Sequence, residues 1–369
     1  MRRHSTLVAA LAAALAATGV AACGGDDDNG GDKGGGGGGG GKQIALLLPE
    51  TKTARYEAHD RPDFVAEVKK RCPDCEVLYS NAQQDANKQQ AQAEAAITKG
   101  ADVLVLDAVD AKAATGIVQR AKQADIPVLA YDRLISGADI DYYVSFNNVR
   151  QGRLQAQSLL DGLDGGPQGK SIVMINGSPT DPSAGDYKKG AHQVLDKSGV
   201  NIAKEYDTPD WSPDKAQVET EQAVTAIGEG KLAGVYSAND GMAAGAIAAL
   251  KGAGIDPKSI PVTGGDAEVA ALQRILAGDQ HATIYLTIKK QAQTSAQIAV
   301  AAANGKQPPA GLLNAKVDNG AGQVPSVLLT PVVVTKDNIA DTVIKDGFYQ
   351  PSEICTGKFA DACKEAGIG

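Results

Sequence analysis

The sequence is poor in the features that mark several large classes of protein. Its 369 residues hold 44 acids against 36 bases, for a formal charge of −8, and no basic cluster stands out. An acidic chain without a basic patch is a poor partner for nucleic acid. The four histidines are scattered, with His4 near the start, and neither they nor the acids fall at metal-ligand spacing. No metal or cofactor is expected. Past the opening residues, no apolar run is long enough to cross a bilayer. Aromatic residues make up only 4% of the chain, with a single tryptophan, Trp211.

The opening residues specify a compartment. Arg2 and Arg3 precede an Ala/Leu run from Leu7 to Ala17, and small residues follow. A charged start, a short apolar middle and a small-residue exit make residues 1–22 a secretory leader. The leader ends in Val20-Ala21-Ala22-Cys23, which resembles a bacterial lipobox. Cys23 would then open the mature chain and carry a lipid. Residues 23–41, with glycines from Gly34 to Gly41, read as a flexible tether. Losing Arg2 and Arg3 with the leader, and no acid, takes the charge from −8 to −10. The expected location is outside the cell, lipid-anchored to the outer face of the cytoplasmic membrane and touching it only through the anchor.

Four further cysteines form two close pairs, Cys72 and Cys75 in "RCPDC" and Cys355 and Cys363 in "CTGKFADAC". A redox CxxC opens a helix after a strand, where the helix end lowers the thiol pKa. Here a helical pattern precedes the motif and the strand Val77-Leu78-Tyr79 follows it. A zinc site needs two more ligands, and the other pair is distant with wider spacing. Exported proteins oxidise their thiols, so two local disulfides, Cys72–Cys75 and Cys355–Cys363, are expected.

From Lys42 the chain alternates short apolar runs with helical stretches. Strands are expected at 44–48, 77–79, 101–107 and 126–131, with helices at about 57–71, 86–99 and 111–124. The pattern restarts with strands at 170–177, 201–206, 232–237, 260–264 and 282–285 and helices at 184–197, 213–228, 241–252 and 269–277. The runs are apolar on both faces, as strands of a parallel sheet covered by helices are. The fold class is therefore α/β, two Rossmann-like lobes with parallel sheets. The handovers fall near "YYVSFNN", "HATIYLT" and "VPSVLLTPVVV", making a three-segment hinge. Residues 42–146 and 286–325 form an N-terminal lobe, and 147–285 and 326–369 a C-terminal lobe.

Ligands of open parallel sheets sit beyond the carboxyl ends of the strands. The residues delivered there are Arg55 and Tyr56, Asp132 and Arg133, Ser183 in "INGSPTDPSAGD", Trp211, Asn239 beside Asp240, and Asp266. One of Asn239 and Asp240 is expected to cap the following helix. Carboxylates, guanidiniums and a carboxamide make paired, directed hydrogen bonds. Vicinal hydroxyls of a sugar match that spacing, and an aromatic ring suits the apolar face of a pyranose.

The stretches "PETKTARY", "VLAYDRLISGADIDYYVSFNN", "GGDAEVAALQRILAG" and "LLTPVVVTKDNIADTVIKDGFYQPSEI" carry a resemblance. The sequence is similar to the type I periplasmic sugar-binding proteins that serve ABC importers, and among these to the D-xylose-binding and multiple-sugar-binding proteins. The resemblance implies a monomeric, non-enzymatic binding protein whose partners are a monosaccharide and a membrane permease. Arg55 and Tyr56 match the first-lobe arginine and stacking aromatic, and Asp132 and Arg133 the hydroxyl clamp. Trp211 matches the second-lobe aromatic that sandwiches the sugar, and Asn239 and Asp266 match polar contacts. Two positions depart. The family loop "SPxDNNA" reads "SPTDPSA", so Ser183 replaces an Asn ligand. The family's Lys after the late-strand aromatic is Leu286; either the sugar differs from xylose, or a nearby group such as Lys289 substitutes, or affinity is lower. A glycoside hydrolase would need two carboxylates such as Asp132 and Asp266, but Arg133 beside Asp132 keeps it ionised and unsuited to an acid role. Presentation of the closed form to a receptor kinase is compatible with the same residues.

Overall fold

The computed structural model describes residues 41–368 apart from Glu229. The expected leader, Cys23 and the expected tether up to residue 40 lie outside the described residues.

The first half builds strands Gln43–Leu48 (β1), Glu76–Asn81 (β2), Val103–Leu106 (β3), Val128–Tyr131 (β4) and Tyr142–Phe146 (β5). Helices Arg61–Arg71 (α1), Ala86–Thr98 (α2) and Thr115–Gln123 (α3) connect them. β3 and β4 are buried throughout, which explains their unbroken apolar runs. The chain then forms Asn148–Asp161 (α4), Ser171–Asn176 (β6), Pro182–Leu195 (α5) and Asn201–Asp207 (β7). Pro213–Ile227 (α6), Leu232–Ser237 (β8), Asp240–Gly252 (α7), Val269–Ala277 (α8) and Thr283–Tyr285 (β9) follow. Ile288–Ala303 (α9), Ala315–Asp318 (β10), Gln323–Leu329 (β11) and Val332–Val334 (β12) complete the main elements.

The larger sheet has the order β10-β11-β5-β4-β3-β1-β2 and the smaller β7-β6-β8. Pairing is parallel except for the β10–β11 hairpin and the separate β9–β12 pair. The chain passes between the sheets at three places: after β5, between β9 and α9, and between β11 and β12.

Three features differ from the sequence reading. The strand expected at 260–264 is reduced to isolated bridges, Val235 to Val262 and Thr263 to Ala282. Pro261 has no N–H to donate, and Gly264 and Gly265 end the run. β10 went unread because it alternates half-buried and exposed residues on a sheet edge. The helix expected from 111 starts at Thr115, because the Asp110 carboxylate accepts from the Lys112 and Ala113 amides and makes a turn first.

Both disulfides are present. Cys72–Cys75 closes the end of α1, and Cys355–Cys363 ties the C-terminal segments.

α4 and α5 cross at glycines. A Cβ on Gly152 would meet the Tyr187 carbonyl oxygen at 1.9 Å, and one on Gly190 would meet that of Val149 at 2.1 Å. This approach sets the height of Gln151 and Tyr187 above the smaller sheet. Gly152→Ala should cost about 1–3 kcal/mol by overpacking, measured as a lower urea midpoint. An unchanged midpoint would contradict so close a crossing.

Candidate functional site

Loops at the carboxyl ends of both sheets meet around one cavity of about 350 Å3 of atom-free space, mouth included. Larger grooves exist, one of about 910 Å3 beside α9 and one of about 700 Å3 that adjoins this cavity through Arg55 and Asp266 and is walled by His59, Glu268 and Tyr349.

Arg55 and Tyr56 enter at the start of a π-helical turn, Tyr56–Asp60, that leads into α1. The Arg55 guanidinium donates to both oxygens of Asp60, at 3.0 and 2.8 Å, and to Gln291 Oε1 at 2.6 Å. Tyr131 donates to the same Asp60. Arg55 thus reaches the cavity already fixed, and it contacts Asp132 at 3.4 Å.

Asp132 follows β4 in a left-handed conformation, φ 61°. Its N–H donates to Val144 O, and its carbonyl accepts from Ser145 Oγ and Tyr143 OH. Those three bonds hold a backbone state that costs a non-glycine residue about 1–3 kcal/mol. Gln291 Nε2 donates to Asp132 Oδ1 at 2.9 Å. Arg133, 2% exposed, donates to Ala108 O and to Tyr56 OH, each at 3.2 Å. Its Nε lies 2.9 Å from Asp181 Oδ2, on the other sheet, and 3.4 Å from Asp107 Oδ1. That N–H is not aligned on either carboxylate, so both contacts are Coulombic rather than hydrogen bonds.

From the smaller sheet come Asp181, Trp211, Asn239 and Asp266. The Trp211 ring edge lies over Gly177, where a Cβ would meet it at 2.1 Å. Trp211 Nε1 donates to Asp181 Oδ2 at 3.2 Å, and Tyr187 packs against the ring edge-on. Asn239 caps α7 by accepting from the Met242 amide at 2.9 Å and still lines the cavity. Asp240 turns inward, where Thr283, Gln280 and the Glu268 amide donate to it. Trp211 and Asp266 are also left-handed, at φ 53° and 91°.

Seven of the eight sequence-nominated residues therefore line one cavity: Arg55, Tyr56, Asp132, Arg133, Trp211, Asn239 and Asp266. Ser183 does not. It is buried in the first turn of α5, with its hydroxyl unpartnered among the described residues, and its amide donates to Asp181. The helix-capping Asp181 takes the place at the cavity. Lys289 is no substitute for a lysine at 286, because it is exposed and lines the separate groove beside α9. Leu286 is sealed in the core. Thr53, Gln151, Asp181, Tyr187 and Ala238 line the cavity without having been nominated.

Burial pushes the carboxyls of Asp181 and Asp266 above their usual range, with Arg133 and Arg55 respectively pulling the other way.

A sequence profile for the periplasmic binding protein domain matches residues 44–307, and the chain belongs to that family. It is 38% identical to the D-xylose-binding periplasmic protein of Escherichia coli (strain K12) over 316 residues, 85% of this chain and 92% of that one. It is 33% identical to the multiple sugar-binding periplasmic receptor ChvE of Rhizobium radiobacter, over 84% and 92% of the two chains. Among solved structures, an ABC transporter solute-binding protein from Clostridium phytofermentans with bound β-D-glucose has a TM-score of 0.75 at 26% identity, covering 85% of this chain and all of that one. A carbohydrate transporter solute-binding protein from Chloroflexus aurantiacus, in complex with D-glucose, also has a TM-score of 0.75, at 27% identity and 85% and 98% coverage. This chain is a binding protein, not an enzyme.

Burial, with Glu268 adding to it, raises the Asp240 carboxyl to about 7. The folded state keeps that proton to a higher pH than the unfolded chain does. Its contribution to stability is full below about pH 4, where the unfolded carboxyl also holds its proton, and is lost as pH rises through about 7. A series of urea midpoints should fall across that window, and Asp240→Asn should flatten the fall. Equal slopes for the two proteins would contradict the assignment.

Proposed function

We propose that this protein is the extracytoplasmic substrate-binding lipoprotein of an ABC sugar importer, holding one monosaccharide between two lobes that close on it. The lobes are residues 42–146 with 286–325, and 147–285 with 326–369. The observation that carries the reading is the single small cavity where Arg55, Tyr56, Asp132 and Arg133 of one sheet face Trp211, Asn239 and Asp266 of the other. Forked donors and acceptors on both sides suit vicinal hydroxyls, and Tyr56 and Trp211 offer aromatic faces to the ring. Asp181 joins this set in place of Ser183.

D-xylose or a related pentose or hexose is the ligand class, in keeping with what the xylose-binding relative and the glucose-bound structures are described as binding. Sugar contacts that exist only when both lobes engage favour the closed state, which a permease then recognises. The lipid on Cys23 and the glycine tether keep the monomer at the outer face of the cytoplasmic membrane. The relative described as a receptor favours a second role, presentation of the closed form to a sensor kinase. Pull-downs with and without sugar separate the two: sugar-dependent capture of permease supports transport, and capture of a kinase supports sensing.

A sugar at 100 times its dissociation constant should add about 2.7 kcal/mol of stability. A thermal-shift panel of pentoses and hexoses reads this directly. Trp211→Ala and Asp132→Asn should each abolish the shift while the protein stays folded; a full response from both variants would place the sugar elsewhere. Cys23→Ser should move the protein from the membrane fraction to the soluble exported fraction, and continued membrane retention would count against the anchor.

A further inference from the structure

The cavity is unevenly charged. Two guanidiniums line it, Arg55 and Arg133, against three carboxylates, Asp132, Asp181 and Asp266. Each guanidinium is shared with a further acid behind it. Arg55 is gripped from behind by both oxygens of Asp60. Arg133 has a second acid behind it, the fully buried Asp107, whose two oxygens accept no hydrogen bond among the described residues. Five buried carboxylates thus crowd two cations.

The three lining carboxylates differ in what they still lack. Asp181 is supplied by the Ser183 amide, Trp211 Nε1 and the Arg133 charge. Asp132 Oδ1 takes Gln291 and Arg55. Asp132 Oδ2 and the whole Asp266 carboxylate accept no hydrogen bond among the described residues, though both residues face the cavity. No lysine lines it. The lysine expected at position 286 by resemblance is Leu286, within the core.

Arg55 lies 3.4 Å from Asp132 and also acts on Asp266, but one guanidinium shared with Asp60 leaves both carboxylates short of donors, which is costly in a buried place. A neutral sugar hydroxyl offers one proton and no charge. An ammonium group offers three donors and a full positive charge, and charge-assisted bonds are about twice as strong. We infer that the preferred ligand is an amino sugar, bound with its ammonium group between Asp266 and Asp132. This rests on the monosaccharide reading above and narrows its ligand class. Asn239 and the Arg133 side then serve the remaining hydroxyls.

Isothermal titration at neutral pH tests the preference on the unaltered exported chain. D-glucosamine is compared with D-glucose, D-galactosamine with D-galactose, and N-acetyl-D-glucosamine serves as the uncharged amine derivative. In at least one pair the amino sugar should bind about tenfold or more tightly than its neutral parent, with the N-acetyl form weaker than the free amine. Asp266→Asn should bring that ratio to near unity. Neutral parents binding as tightly as their amino sugars, or a ratio unmoved in folded Asp266→Asn, would overturn the inference and leave the monosaccharide reading standing. The comparison on the unaltered chain decides the matter even if the variant fails to fold. Silence from neutral and amino sugars alike, D-xylose included, would overturn the monosaccharide reading and this inference with it.

Discussion

Arg133 and Asp181 come from different sheets and meet 2.9 Å apart with almost no exposure. A buried charge left without its partner costs several kcal/mol, so each sheet presents the other with a strong reason to keep its position. Much else at the cavity is arranged around this contact. Tyr56 and the Ala108 carbonyl fix the guanidinium from one side. Trp211 and the first turn of α5 fix the carboxylate from the other. Other contacts between loops of the two sheets, Thr180 to Val109 and Gln84 to Asp210, add to it. Any ligand entering the cavity must compete with these bonds or add to them.

The architecture of the strands was legible because burial on both faces leaves a plain mark. β1, β3 and β4 are apolar runs that no amphipathic helix would show, and their ends pointed to Arg55, Tyr56, Asp132 and Arg133. What lay on a half-exposed edge was not legible, as with β10. Nor was the site's share from the helices. Gln151 and Tyr187 reach the cavity because α4 and α5 approach closely at Gly152 and Gly190, and a glycine in a sequence does not say which backbone it lets near. Ser183 was a sound choice of loop and a wrong choice of side chain. The residue two positions earlier caps the helix with one oxygen, which leaves the other turned to the cavity.

Backbone strain gathers at the same place. Asp132, Trp211 and Asp266 are all left-handed, and only eight non-glycine residues among those described share that sign of φ. Each is held by bonds to neighbouring strands or by packing: the Asp132 amide to Val144, the Asp266 amide to Ile284, the Trp211 ring against Gly177. Strained residues persist where the surroundings over-determine them. The side chains that face the cavity are thereby aimed by the sheets rather than by rotamer choice, which reduces the ordering needed when something binds.

Trp211 is the sole tryptophan of the chain and it stands in the cavity wall. Its indole touches an acid, a tyrosine edge and bare glycine backbone, and nothing else in the molecule emits as it does. The protein carries a built-in optical reporter: excited at wavelengths that tyrosine does not absorb, the indole alone emits, and it reports on its surroundings in the cavity wall without an attached dye.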